Sequence, residues 1–289
     1  MRRSPFTPTR DPAWFEARTY EEDYRLRATT GPLESMSGRD EAIVTQRVNE
    51  AIARKMTFDG ADVVVDVGCG DGYLLTTFEP SFLCGVGVTA TTEEAARLRE
   101  VHRRHAKVEF VASDVRRLSL PTGASTKVVC NGVLLMLESR TDVSRALQEL
   151  ARIAAPAALV WVGEIPDRSE SEASRAGASP SATVVDRVRG AVARHGLRLP
   201  AQAIYALVRR RARARARASQ DALSRTEFFA TPDDFVALAR EVGLELVWKD
   251  RHVTYDGRGA PLTSPTRWDY LFRRARGEPT PAPTPSSPR

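Results

Sequence analysis

The sequence contains few cysteines and no long apolar run. Only three of its 289 residues are cysteine, Cys69, Cys84 and Cys130, and their spacing matches no metal-binding motif. An odd count of this kind favours buried thiols in a reducing compartment, so we expect a cytoplasmic protein without a metal site. No apolar stretch approaches the roughly 20 residues that cross a bilayer. Residues 1–5 are not followed by the apolar segment of a signal peptide, and we expect none.

The positive charge is concentrated in one segment. The chain carries a formal net charge of +6, and residues 167–225 alone hold 13 arginines and 5 acids, a net charge of +8. The remainder of the chain is therefore slightly acidic. Six of those arginines lie within residues 209–217, where alanine and arginine both favour helix. The basic character belongs to an insertion and not to the rest of the protein.

A strand followed by a glycine-rich turn is predicted at residues 63–75. Residues 63–67 are mostly β-branched and apolar, which is typical of a strand buried on both faces. Gly68, Gly70 and Gly72 follow at alternate positions, and an apolar helical pattern begins at Tyr73. Glycine lets the backbone turn sharply and lets a ligand come close, and a helix start presents unpaired N–H groups. The stretch predicts a nucleotide-binding site.

The spacing of these glycines indicates which nucleotide. A dinucleotide fingerprint has glycine at the first, third and sixth positions, whereas the sixth position here is Tyr73. With Asp66 two residues before Gly68, the pattern resembles motif I of the class I S-adenosylmethionine-dependent methyltransferases. The resemblance covers about residues 59–166 and 226–273 and implies S-adenosylmethionine as the cofactor. Motif I then supplies five cofactor-binding residues, Asp66, Gly68, Cys69, Gly70 and Gly72.

The same resemblance implies further cofactor contacts after the next strands. Members of this class usually end the second strand with an acid that binds both ribose hydroxyls, but the matching residue here is Thr89. Three interpretations stay open: a hydroxyl contact with weaker binding, an acid supplied from elsewhere, or a degenerate site. Asp114, with Val115 beside it, matches the position that receives the adenine amino group. Asn131 is the remaining expected contact, at the end of the fourth strand.

No motif identifies a catalytic base. Glu164 follows the fifth strand and is expected to face the acceptor, while His195 and His252 are the histidines nearest to segments on the substrate side. An isolated histidine or glutamate is more often structural than catalytic, so these three residues are candidates only. His102 and His105 are expected at the surface of the helix after the second strand.

The alternation of strands and helices predicts a Rossmann-like α/β fold. We expect a seven-stranded, mostly parallel sheet with helices on both faces, closed by two antiparallel strands. Residues 1–58 are predicted to form an N-terminal helical cap, 59–166 the cofactor-binding core, and 167–225 a basic helical lid. Residues 226–276 complete the core, and the Pro-rich residues 277–289 are predicted to be a disordered tail.

The lid offers the main indication of the substrate. Long insertions after the fifth strand often enclose a small molecule in this family, so the resemblance favours methylation of a hydroxyl on a small molecule or glycan. The arginines suit an anionic substrate or contact with an anionic membrane surface. One alternative is an RNA methyltransferase that uses the arginine-rich insertion, and another is a non-catalytic binding protein. We expect no DNA partner.

Overall fold

The computed structural model describes residues 20–30, 33–37, 39, 42–137, 139–169 and 230–276. The helices are α1 (Tyr20–Thr30), α2 (Ala42–Met56), α3 (Tyr73–Phe78), α4 (Thr92–Val101), α5 (Arg140–Ile153) and α6 (Pro232–Glu241). The strands are β1 (Val63–Val67), β2 (Cys84–Thr89), β3 (Val108–Ala112), β4 (Ser125–Asn131), β5 (Ala154–Pro166), β6 (Leu244–Tyr255) and β7 (Pro261–Arg274). Most of the predicted lid and all of the predicted tail lie outside the described residues.

The strands form one sheet in the order β3-β2-β1-β4-β5-β7-β6. The first five strands in this order are parallel, while β7 runs antiparallel to both β5 and β6. This arrangement confirms the predicted Rossmann-like α/β class, with five parallel strands and a closing pair. Strands β6 and β7 are long, at 12 and 14 residues, because their far ends pair with each other beyond the rest of the sheet.

Helices cover both faces of the sheet. On one face, α2 and α3 bury an apolar cluster that includes Ile52, Met56, Leu74 and Trp161. On the other, α5 and α6 pack on a larger cluster around the sheet. Each fully buried apolar side chain of this size contributes about 1.5–3 kcal/mol. The two layers hold the sheet rigid, so its carboxyl edge can position a site.

The helix starts agree with the capping residues in the sequence. Thr91 caps α4 and Thr231 caps α6, where Pro232 occupies the first helical position. Ser139 caps α5 by accepting a hydrogen bond from the Asp142 N–H at 3.0 Å. The starts of these three helices are therefore set by local side-chain chemistry.

The carboxyl ends of β1 to β5 meet at one edge of the sheet. Because β7 runs the other way, its pairing of Arg267 with Pro166 and of Trp268 with Ile165 places residues near 267 at this same edge. The pairing of Arg251 with Trp268 brings the far part of β6 there too. In sheets of this kind ligands bind beyond the strand carboxyl ends. Among the described residues, no helix is long and apolar enough to cross a membrane.

Candidate functional site

The glycine turn after β1 adopts a conformation that other residues disfavour. Gly68, Gly70 and Gly72 have φ values of +76°, +56° and +77°, all in the left-handed region. A Cβ on Gly68 would collide with Val133, and one on Gly70 would lie 2.9 Å from the Cα of Ser37. The turn is thus packed so closely against neighbouring segments, and so strained for other residues, that it requires glycine at these positions.

Backbone hydrogen bonds tie this turn to β2. The N–H groups of Gly68 and Cys69 both donate to the carbonyl of Val88, at 2.8 and 3.1 Å. The N–H of Tyr73 at the start of α3 donates to Asp71 Oδ1 at 3.1 Å, so this helix-start donor is already used. The chain's own hydrogen bonds therefore hold the turn in place.

Asp66 lies buried beneath the turn, with only 5% of its surface exposed. Burial disfavours its charged form and the negative charge of Asp71 adds to the effect, while Arg39 opposes it; the pKa of Asp66 is raised to about 7. Its charge therefore changes within the physiological pH range. A cationic ligand seated on the turn would favour the ionised form.

His102 was predicted at the surface, and this prediction is wrong. The side chain is 6% exposed, and its Nε2 lies 2.8 Å from the carbonyl of Asp71 in the glycine turn. Burial lowers the pKa of His102, so the neutral ring donates an N–H to that carbonyl. His105 is half-buried and pairs with Glu79 at 2.7 Å. His102 thus braces the turn from α4, and the spacing of apolar residues gave no sign of it.

Thr89 and Asp114 lie at the ends of β2 and β3, at the carboxyl edge where the resemblance places them. The Thr89 hydroxyl is buried and donates to the carbonyl of Thr91 at 2.9 Å. The Asp114 carboxylate is held by Arg116, whose Nη2 lies 2.6 Å from Oδ2, and this hydrogen bond lowers the pKa of Asp114. Val115 packs against the main core. Asp114 is therefore an oriented anion at the position expected for adenine.

Asn131 and Glu164 meet at the ends of β4 and β5. Asn131 Nδ2 donates to Glu164 Oε1 at 2.9 Å, and Arg267 Nη1 donates to Oε2 at 2.8 Å. Arg39, from the N-terminal cap, forms a further ion pair with the same carboxylate. Burial opposes ionisation of Glu164, but the charges of Arg39, His252 and Arg267 outweigh it, and its pKa falls to about 2. Glu164 is a permanent anion at neutral pH.

Glu164 also has an unusual backbone. Its φ is +63°, in the region that favours glycine, and the residue lies in the register shift between Val162 and Ile165. A non-glycine residue in this conformation costs about 1–3 kcal/mol and persists only where its surroundings impose it. The three side-chain donors and the N–H bond from Glu164 to Asp269 Oδ1, at 2.9 Å, impose it here.

His252 and Asp269 form a buried pair beside Glu164. His252 Nδ1 lies 3.0 Å from both oxygens of Asp269, and the two residues are 4% and 6% exposed. Burial opposes the charged imidazolium, but the hydrogen bond and charge of Asp269, with the charge of Glu164, raise the pKa of His252. A histidine oriented by a carboxylate is the arrangement of a general base.

The structure brings together several residues that sequence reasoning did not select. Arg39, Arg267 and Asp269 reach Glu164 or His252 from segments distant in the chain. The one available signal was Asp269, an acid between the aromatic Trp268 and Tyr270 in a predicted core strand. His195 lies outside the described residues, as does the arginine run at 209–217.

Comparisons with known proteins agree with this geometry. Residues 64–157 match a family model described as a methyltransferase domain, and no curated protein matches the sequence. A chain from the complex of the Haloferax volcanii Trm112 methyltransferase activator with a methyltransferase is 14% identical, with 88% of this chain and 98% of that one covered and a TM-score of 0.58. The [4+2]-cyclase SpnF is 15% identical, with 90% and 97% covered and a TM-score of 0.55. Magnesium protoporphyrin IX methyltransferase from Synechocystis PCC 6803 is 12% identical, with 89% and 96% covered and a TM-score of 0.54.

These similarities establish the fold and no more. Residues 64–157 match the methyltransferase-domain model, and the chain has the same fold as the solved methyltransferases named above. The left-handed glycine turn at the carboxyl end of β1 fits the cofactor S-adenosylmethionine. Because a cyclase shares the fold, the reaction and substrate have to be argued from the site itself.

Proposed function

We propose that this protein transfers the methyl group of S-adenosylmethionine to a hydroxyl of a small molecule or glycan, with His252 as the general base. The observation that carries the proposal is the His252–Asp269 pair at the sheet edge that also holds the glycine turn. A neutral hydroxyl is a weak nucleophile, and a positioned base improves it. The pair is therefore suited to an oxygen acceptor.

His252 and Asp269 have separate roles in proton transfer. Asp269 occupies Nδ1 of His252, which leaves Nε2 to take the proton of the acceptor hydroxyl. Asp269 then stabilises the imidazolium. When bound, S-adenosylmethionine supplies an electrophilic methyl on a sulfonium sulfur. The proton is released to water once the methylated product has left.

Glu164 supports this arrangement without acting as the base. A carboxylate with a pKa of about 2 has little tendency to take a proton at neutral pH. Its N–H orients Asp269, and its carboxylate fixes Asn131 and the two arginines around the acceptor space. Of the three candidates named from the sequence, His252 is the one we propose as catalytic.

We further propose that the arginines of residues 167–225 favour an anionic substrate, such as a phosphate- or carboxylate-bearing sugar. The net charge of +8 in this segment supports an anionic ligand. The same charge would suit RNA, so RNA methylation is one of the outcomes that the labelling experiment below distinguishes.

The proposal is tested by following a labelled methyl group. The purified chain is incubated with methyl-labelled S-adenosylmethionine and an extract of its source cells, and the extract is then treated with nuclease or protease. We expect the label in small molecules or glycans that survive both treatments. Label that nuclease releases from a macromolecular fraction would establish RNA methylation instead, and an absence of transfer in every fraction would contradict an enzyme.

The binding of S-adenosylmethionine is expected to depend on pH through Asp66. Its pKa of about 7 means that the carboxylate becomes charged as the pH rises through neutrality, and the charged form attracts the cationic cofactor. Affinity measured by calorimetry should therefore rise about five- to tenfold from pH 5.5 to 7.5. In Asp66→Asn only the ligand titrates, so the affinity should change little between these pH values. An equal rise in affinity in both proteins would contradict the role assigned to Asp66.

The titration of His252 is expected to depend on Asp269. In the wild-type protein the pKa of His252 lies above its ordinary value, so the neutral base forms only as the pH rises through that raised value. The stability that the charged pair contributes is lost over the same pH range. Asp269→Asn removes the negative charge that helps to raise the pKa of His252, so the pKa should fall from its wild-type value. NMR titration of the imidazole protons measures both proteins, and an unchanged value would show that Asp269 does not control His252.

A further inference from the structure

The end of β2 lacks the acid that this class of fold normally places there. Thr89 occupies the position, and its hydroxyl hydrogen is used by the carbonyl of Thr91 at 2.9 Å. The hydroxyl oxygen can still accept one hydrogen bond. Two adjacent ribose hydroxyls present two donors, so Thr89 alone would leave one of them without a partner.

A second carboxylate lies within the same polar cluster. Glu94, in the first turn of α4, is 3% exposed. Its Oε2 accepts hydrogen bonds from the N–H and the hydroxyl of Thr91, both at 3.0 Å. Glutamates in a capping box at the start of a helix are usually exposed, but this one is covered. Arg97 of α4 binds the carbonyls of Arg27 and Ala28, at 2.9 and 2.8 Å, and so holds α1 against this helix.

The position of this carboxylate relative to the glycine turn is fixed by neighbouring bonds. The turn binds the carbonyl of Val88, Thr89 follows at once, and Thr91 caps the helix that carries Glu94. Burial raises the pKa of Cys69 within the turn, and the charges of Asp66 and then Glu94 add to this effect, so the Glu94 carboxylate lies near enough to the turn to act on it. Because Thr91 contacts both the Thr89 hydroxyl and the Glu94 carboxylate, Glu94 lies beside the end of β2, at the carboxyl edge where ligands bind in this kind of sheet.

The carboxylate of Glu94 retains capacity for a further donor. Two carboxylate oxygens offer about four acceptor positions. The N–H and hydroxyl of Thr91 use two, and the N–H of Ala90 is a third partner that lowers the pKa against the raising effect of burial. One position is left for a hydroxyl donor. A further hydroxyl donor would stabilise the charged carboxylate of Glu94, which burial otherwise disfavours.

We infer that Glu94 replaces the acid missing at the end of β2 and, with the hydroxyl oxygen of Thr89, binds the ribose hydroxyls of the cofactor. The assignment rests on the proposed function, because it requires an adenosyl ligand on the glycine turn. It accounts for Thr89 without a degenerate site. Recognition of the sugar is supplied from the helix cap instead of the strand end.

The test compares S-adenosylhomocysteine with its 2′-deoxy and 3′-deoxy analogues. Calorimetry on the full chain should show that wild-type protein prefers the intact ribose by about 10- to 100-fold over at least one analogue. Glu94→Gln should weaken binding of S-adenosylhomocysteine by a similar factor and remove the preference. Glu93→Gln changes the neighbouring exposed acid, whose carboxylate pairs loosely with Arg25 at 3.6 Å, and should keep the preference.

The outcomes separate the inference from the proposed function. If Glu94→Gln weakens intact and deoxy ligands equally, or changes neither, Glu94 acts only as a helix cap and the inference is overturned. Should that variant fail to fold, Glu94→Asp retains the charge but withdraws it by one carbon, and a full wild-type preference in it would also overturn the inference. Wild-type protein that binds none of these ligands would overturn the proposed function itself.

Discussion

Replacing Gly70 with alanine is expected to abolish measurable binding of S-adenosylmethionine and to lower the free energy of unfolding by about 2–4 kcal/mol. Two costs add. The φ of +56° is unfavourable for any L side chain, and the new Cβ would lie 2.9 Å from the Cα of Ser37 and 3.2 Å from the carbonyl of Met36. The clashing atoms belong to the backbone, so no side-chain rotation can relieve the contacts. Calorimetry gives the affinity, and urea unfolding gives the stability.

Two other glycines separate the cost of the positive φ from the cost of the steric clash. Gly123 has a φ of +68° with nothing within 4 Å of an added Cβ, so Gly123→Ala should cost about 1–2 kcal/mol of stability and leave binding unchanged. Gly60 has open space and no positive φ, and Gly60→Ala should change neither property. Normal cofactor affinity in Gly70→Ala would show that the ligand does not lie on this turn.

Replacing His252 with glutamine is expected to lower kcat by about 10²- to 10⁴-fold, the usual contribution of a positioned general base. Glutamine retains much of the volume and polarity but cannot take the acceptor proton at neutral pH. Cofactor affinity should stay within about twofold, because the role assigned to His252 is on the acceptor side. The acceptor found by methyl labelling is the substrate, and release of S-adenosylhomocysteine measures the rate.

His105→Gln is the matched control. This histidine is 35% exposed at its side chain and pairs with Glu79, so its replacement should leave kcat unchanged. Thermal unfolding of both variants shows whether a loss of rate follows from a loss of structure. A wild-type kcat in folded His252→Gln would exclude this residue as the base and leave the acceptor chemistry to another group.

Local chemistry made most of the fold predictable. The β-branched run at residues 63–67, the capping residues Thr91 and Thr231, and the glycine at 243 all act within a few residues of themselves. Patterns of this range can be read from a single sequence. A mostly parallel sheet could be predicted because strands that alternate with helices have few allowed arrangements.

The electrostatic part of the site was not predictable in the same way. Arg39 and Glu164 are 125 positions apart, and Arg267 and Glu164 are 103 apart. No periodicity connects such residues, and only the antiparallel return of β7 brings Arg267 and Asp269 to the carboxyl edge. The prediction for His102 was wrong for a related reason. Its ring is buried where it forms a hydrogen bond with the glycine turn, a contact that the sequence pattern does not indicate.

Equilibrium binding of S-adenosylmethionine to the full chain tests the central claim most directly. The account predicts saturable binding of one ligand per chain, together with a rise in melting temperature, and the loss of both in Gly70→Ala but not in Gly123→Ala. No heat and no thermal shift at millimolar ligand, or equal binding in both variants, would contradict a cofactor site at residues 68–72.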